Sequence, residues 1–181
     1  KDIPVFTKIE QPDIELMFRL LLRLALSEEI NTEKLASSIG CRQQKVENFI
    51  ETLHKAEILN VLNPYGSTKI KTGHYKKPFF MSPSLRRALY QRVYGENVEE
   101  KLRAKLLEDI VAMYLRRLVQ EQGLLSFGVS DNSVSPDFII ETLESPIVLE
   151  VGMKKTSTKQ IAKYQVQKRY GIIINATSNE C

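Results

Sequence analysis

The sequence predicts an α+β fold in two parts, a helical part that carries a two-stranded ribbon and then a small mixed sheet flanked by helices. Three observations carry this reading. Apolar residues recur at helical spacing through most of 14–56 and again over 98–120. Short apolar runs bounded by Pro, Gly and Asn stand at 58–62 and 78–81. Behind the long helical stretch come further runs at 124–129, 137–143, 147–153 and 172–174. The 181 residues are enough for one large domain or two small ones with real cores.

The first helix, over 14–26, rests on Leu16, Leu20 and Leu24 with Met17 and Leu21, and stops at the polar Ser27-Glu28-Glu29. Asn31-Thr32 then caps a short helix over 33–38, and Gly40 stands where a left-handed residue closes it. A third helix over 42–56 places Val46, Phe49, Ile50 and Leu53 on one face. The strand at 58–62, the Pro64-Tyr65-Gly66 turn, a basic loop and the strand at 78–81 form a ribbon. Three helices and a ribbon, with a short Gly-containing turn between the second and third helices, make a winged helix-turn-helix over 1–82. A helix over 84–94 reads as a connector within 83–97.

Composition excludes several classes. No apolar run approaches the roughly 20 residues of a membrane span, and no signal peptide opens the given chain. Two isolated cysteines, Cys41 and Cys181, argue against a disulfide framework and for a reducing cytoplasm. His54 and His74 alone do not make a zinc site. The chain starts at Lys1 without methionine and is read as a piece of something larger.

Charge is segregated. Between Lys69 and Gly95 the charged residues are Lys69, Lys71, Lys76, Lys77, Arg86, Arg87 and Arg92, with no acid. Lys154, Lys155, Lys159, Lys163, Lys168 and Arg169 repeat the pattern further on. Clustered cations suit a polyanion, so DNA is the expected partner. Arg42, Gln43 and Gln44 open the third helix, where base-edge contacts arise, and Arg and Gln can read guanine and adenine. Glu47 and Glu51 on the solvent side of that helix would face phosphates. Lys69, Lys71, Lys76 and Lys77 in the wing are the better backbone contacts. A winged helix used as a protein scaffold is the competing reading.

Over 98–181 the order is α-β-β-β-α-β with a hairpin in the middle, and Leu102, Leu106, Ile110, Tyr114 and Leu118 form the stripe of the long helix. Asp137 heads an apolar strand, where a carboxylate needs a metal, a cation or backbone donors. On the next strand, alternation points Glu150 the same way as Val148, Gly152 and Lys154. Glu108 has Ala104, Val111, Ala112 and Leu115 around it and reads as packed, whereas Asp109, with Lys105 and Arg116, reads as solvated. The carboxylates of Glu108, Asp137 and Glu150 are hard oxygen donors of the kind that suits magnesium or manganese.

Ser135-Pro136-Asp137 followed by Leu149-Glu150-Val151-Gly152 resembles the PD-(D/E)xK nuclease core, a restriction-endonuclease-like α/β fold. Gln160 and Tyr164 resemble the Gln-x-x-x-Tyr helix of its RecB-like members. In that superfamily two acids hold a divalent metal and a lysine orients the attacking water. Here Gly152 stands in the lysine's place, and Lys154, Lys159 and Lys163 are the candidates for a migrated amine. The resemblance therefore implies a vestigial acidic site, with no magnesium- or manganese-dependent cleavage expected. Phe79-Phe80-Met81-Ser82-Pro83 and Leu107-Glu108-Asp109-Ile110 further resemble the C-terminal region of bacterial and archaeal AAA-type P-loop ATPases. That resemblance implies a nucleic-acid-binding module whose ATPase module, and with it the ATP site, lies in an N-terminal half outside this sequence. No Gly-x-x-x-x-Gly-Lys-Ser/Thr stands in the chain. A metal-dependent DNA nuclease and a protein-interaction scaffold are the alternatives.

Overall fold

The computed structural model describes residues 11–27, 29–65, 76–95, 100–119, 125–127, 136–154, 159–163 and 170–176. The protein is mixed α+β. Its first half holds α1 (Gln11–Leu26), α2 (Thr32–Ile39), α3 (Gln43–Lys55), β1 (Leu59–Leu62) and β2 (Lys77–Phe80). Local chemistry fixes the helix ends. Asn31 Oδ1 accepts the Lys34 N–H at 2.9 Å, satisfying one orphan donor of α2. Gly40, at φ +75°, closes that helix by donating its N–H to Ala36 O. β1 and β2 pair antiparallel with Leu59 opposite Phe80, and Ile30 adds a bridge to Lys76. Leu20, Leu24, Leu35, Val46, Leu53 and Phe80 anchor the core these elements share.

The second half follows α4 (Pro83–Tyr94), which is capped by Ser82 and carries proline in its first turn. It comprises α5 (Glu100–Val119), β3 (Leu125–Ser126), β4 (Phe138–Ile140), β5 (Ile147–Met153), α6 (Lys159–Lys163) and β6 (Tyr170–Ala176). The sheet order is β3-β4-β5-β6, with two antiparallel pairings and then a parallel one. The strand β5 is buried on both sides. Leu149 and Val151 pack with Val111, Ala112 and Leu115 of α5, while Val148 packs with Ile139 and Ile161 of α6. Among the described residues no helix is long and apolar enough to cross a membrane.

The halves are fastened together. Leu62 and Phe79 belong to the cluster beneath α5, and the Phe79 and Phe138 rings stand 4.9 Å apart. Beyond β1, the Tyr65 N–H donates to Phe127 O at 2.8 Å and the Phe127 N–H to Asn63 O at 3.1 Å. Arg86 of α4, only 1% exposed, donates to both carboxylate oxygens of Asp109 and to the carbonyls of Ala25 and Pro78. Far from a simple connector, α4 supplies the cation around which α1, β2 and α5 close.

That pairing corrects three expectations. Asp109, read as solvated, is fully buried, because its partner Arg86 turns inward with Leu89 on the same face of α4. Arg86 therefore drops out of the basic surface. The predicted stripe of α5 is largely the wrong one: Leu102 is buried, but Ile110, Tyr114 and Leu118 are 39%, 57% and 77% exposed. The core is met by Val111, Ala112 and Leu115.

Candidate functional site

The start of α3 presents the first group of candidates. Arg42 precedes the helix as an N-cap residue without a side-chain cap bond, and both it and Gln44 are exposed. Gln44 Nε2 bridges to Asn48 Oδ1 at 3.2 Å along the helix surface. Gln43, also exposed, has its Nε2 donating to Thr32 Oγ1 and Glu47 Oε1, both at 3.0 Å. Glu47 is thus half-buried in a polar knot rather than facing outward. Lys45 pairs with Asp13 of α1 across a groove floored by Leu16, Met17 and Phe49. Glu51 bonds Lys55 at 2.6 Å, which holds its carboxyl below the usual range.

The ribbon adds Lys76 and Lys77, both half-buried, with Lys77 Nζ 5.3 Å from the Phe127 ring centroid. Lys69 and Lys71 lie outside the described residues. On α4, Arg87 and Arg92 are exposed. His54 is half-buried near the end of α3. Its Nδ1 accepts the Val61 N–H at 3.3 Å, and burial and then the neighbouring Arg116 push its pKa down. Arg116 itself donates to Leu59 O, so His54 and Arg116 together block the outer edge of β1.

The acids lie around β4 and β5. The register of Phe138 with Leu149 continues one residue back, setting Asp137 beside Glu150. Asp137 Oδ2 accepts the Val151 N–H at 2.8 Å. Glu150 is 1% exposed, and alternation turns it with Val148 toward α6. Glu108 approaches from α5. Burial raises its pKa and the charge of Asp137 adds to this, while Lys105, Lys77 and Arg86 oppose it. The structure thus places Asp137 beside Glu150 and within electrostatic reach of Glu108. Among the described residues, however, no group of three or more His, Cys, Asp or Glu side chains is placed to hold a metal ion.

No protein-family model matches the chain, and no solved structure matches it. It is similar to an uncharacterized protein, MJ1637, of Methanocaldococcus jannaschii, with 31% identity over 179 residues. That alignment takes in 96% of this chain but 37% of the relative, so the chain spans little more than a third of the relative's length.

The candidate amines fall in different places. Gly152 pairs with Asn175 of β6 on the face that Glu150 shares. Lys154 does not follow the alternation expected of it, because β5 ends at Met153 and Lys154 turns at φ +56° with its side chain exposed. Lys159 is exposed at the start of α6, and Gln160 and Lys163 lie on that short helix, which covers the Glu150 side of the sheet. Tyr164 lies outside the described residues. The Arg86–Asp109 pair went unseen in the sequence. Its one signal was an arginine three residues before Leu89, on the inward face of a helix.

The raised pKa of Glu108 has a measurable consequence. The native chain holds this proton more readily than the unfolded one, so the contribution to stability is full below the unfolded pKa of about 4.3. It is lost as pH rises through the folded value. Glu108→Gln is therefore expected to stabilise the protein near pH 7 and to change little near pH 4. Urea melts at both pH values check this, and an equal effect at the two would remove burial of the charge as the cause.

Proposed function

We propose that the chain is the duplex-DNA-binding portion of a larger AAA-type ATPase, built from a winged helix-turn-helix and a restriction-endonuclease-like core that no longer cuts. The observation that carries the reading is the exposed start of α3. Arg42 and Gln44 stand in solvent at its N-terminus, just past the turn made by Gly40, on a helix whose other face is buried. In a helix-turn-helix that end of the second helix meets base edges. Residues 67–77, with four lysines and no acid, supply the cations for backbone phosphates.

The order α5-β3-β4-β5-α6-β6, with its mixed sheet, supports the nuclease-like reading of the second half. Gly152 in place of an amine favours a core kept for binding. The ATPase portion of the proposal rests on the resemblance of the residue pattern, and the greater length of the archaeal relative is compatible with it. Fold alone does not supply the function.

Titrating a short duplex by gel shift at about 50 and 200 mM salt tests the proposal. Micromolar binding at the lower salt is expected, falling with a log–log slope of about −0.9 per phosphate neutralised. Arg42→Ala should flatten the slope by about one contact, and Lys69, Lys71, Lys76 and Lys77 changed together to alanine should flatten it further. Absence of binding at low salt, or binding indifferent to these changes, would overturn it.

A further inference from the structure

The helix α5 is apolar on two sides, and only one of them is used. Val111, Ala112 and Leu115 are spent on the core. At 100° per residue, Leu106, Ile110, Met113 and Tyr114 turn away from that face, with Arg103 and Arg117 among them, while Leu118 stands at its margin, seven residues beyond Val111. Ile110, Tyr114 and Leu118 are exposed, as are both arginines, and Leu106 and Met113 are half-buried. The acids of the described side chains of this helix, Glu108 and Asp109, both lie on the inward side. The adjacent α4 packs along α5 and adds exposed Arg87 and Arg92 and no acid. An amphipathic surface helix should be polar on its outer face. This one presents an apolar strip with an arginine in line with it toward each end.

We propose that the outer arc of α5 is a docking surface for an acidic amphipathic helix of a protein partner. The apolar strip takes the partner's apolar stripe at i, i+4, i+8 spacing, the helix-against-helix mode of peptide recognition. Charge selects the occupant. Arg103 and Arg117 stand 14 positions apart, which is about 21 Å along the axis, so they bracket four turns of a partner that carries a carboxylate at each end of its apolar face. A second copy of this chain is a poor occupant. Laid antiparallel about Ile110, two copies of α5 would bring Arg103 of one against Arg117 of the other, and a parallel arrangement would oppose identical arginines. The surface is separate from the start of α3 and from the ribbon, so it can be engaged or fail independently of DNA binding.

The test uses the chain with a fluorescent synthetic helix about 20 residues long, leucine on one face and glutamate at each end of that face, read by anisotropy. Saturable binding is expected. It should weaken at least about tenfold when Ile110→Glu and Tyr114→Glu are combined, and the exposure of both sites keeps the circular dichroism melt near that of the parent. Arg103→Glu with Arg117→Glu should transfer the preference to the same helix with lysine at those end positions. Failure of the glutamate helix to bind, equal binding of both helices, or loss of the peptide to equimolar duplex DNA or anionic vesicles would overturn the proposal. So would self-association in sedimentation that Tyr114→Glu disperses, since that would make a second copy the occupant.

Discussion

Replacing Arg86 with methionine is expected to destabilise the protein by about 3–5 kcal/mol, measured by urea denaturation. Few domains have more than about 5–15 kcal/mol in all, so the change removes a large share of the stability. The size follows from the surroundings. Arg86 is 1% exposed and Asp109 fully buried, with Nε to Oδ2 at 2.6 Å and Nη2 to Oδ1 at 3.0 Å. The Phe80 N–H donates to the same carboxylate at 2.9 Å, and the guanidinium lies over the Phe80 ring. Methionine fills much of the volume but leaves a buried carboxylate facing one backbone donor, and it leaves the Ala25 and Pro78 carbonyls without their donor. Burial already pushes the Asp109 pKa up against the pull of Arg86. Without the arginine, Asp109 takes up a proton, which limits the loss.

Adding Asp109→Leu to Arg86→Met should recover part of the stability, since exchanging both members of a buried pair for apolar groups is often neutral. Recovery stays incomplete, because the backbone groups that the pair served remain unpaired. The pair also joins α1, β2 and α5, so the parent chain should unfold in a single transition by both near- and far-ultraviolet circular dichroism. A loss below about 1 kcal/mol for Arg86→Met would show that water replaces the guanidinium and that the pair is no clamp.

How much of this was legible in the sequence depended on how local the cause was. The turn between α2 and α3 was readable because Asn31 and Gly40 act within three or four residues of themselves. The face of α3 was readable because its outer side is polar, leaving Val46, Phe49, Ile50 and Leu53 as the core side. The order of strands and helices in the second half also came through, since each run is bounded by turn residues. The orientation of α5 did not. Periodicity shows that a stripe exists, and with apolar residues on two sides it cannot say which one meets the sheet. Asp109 was misjudged for a related reason. Its helix neighbours Lys105 and Arg116 suggested a solvated cluster, while the cation that holds it is 23 residues away on another helix.

At the candidate site, strand alternation grouped Glu150 with Val148 and failed where the strand stops, at Lys154, whereas the position of Asp137 beside Glu150 depends on the register between β4 and β5. The commitment of Gln43 to Thr32 and Glu47 was not readable, because it needs the packing angle between α2 and α3.

Gly171→Ala is the second change with a large expected effect, and here the sign is as informative as the size. An alanine in place of a strand glycine normally stabilises, by about 0.4–1 kcal/mol, because it narrows the unfolded chain's freedom. At this site a Cβ would stand 2.3 Å from Ile161 Cγ2, well inside van der Waals contact. Ile161, itself buried, is the residue through which α6 packs on Val148 and Ile139, and a β-branched side chain cannot swing its Cγ2 away cheaply. The overlap must be relieved by lifting α6 from the sheet, at about 1–3 kcal/mol for an overpacked contact. Since α6 covers the Glu150 side of β5, the same displacement should expose that face and speed amide exchange in the facing part of β5. Ile161→Leu keeps the volume but moves the branch from Cβ to Cγ, so the double variant should regain much of the loss that Gly171→Ala causes alone. If Gly171→Ala stabilises the chain, α6 does not press on β6 as closely as the 2.3 Å approach requires.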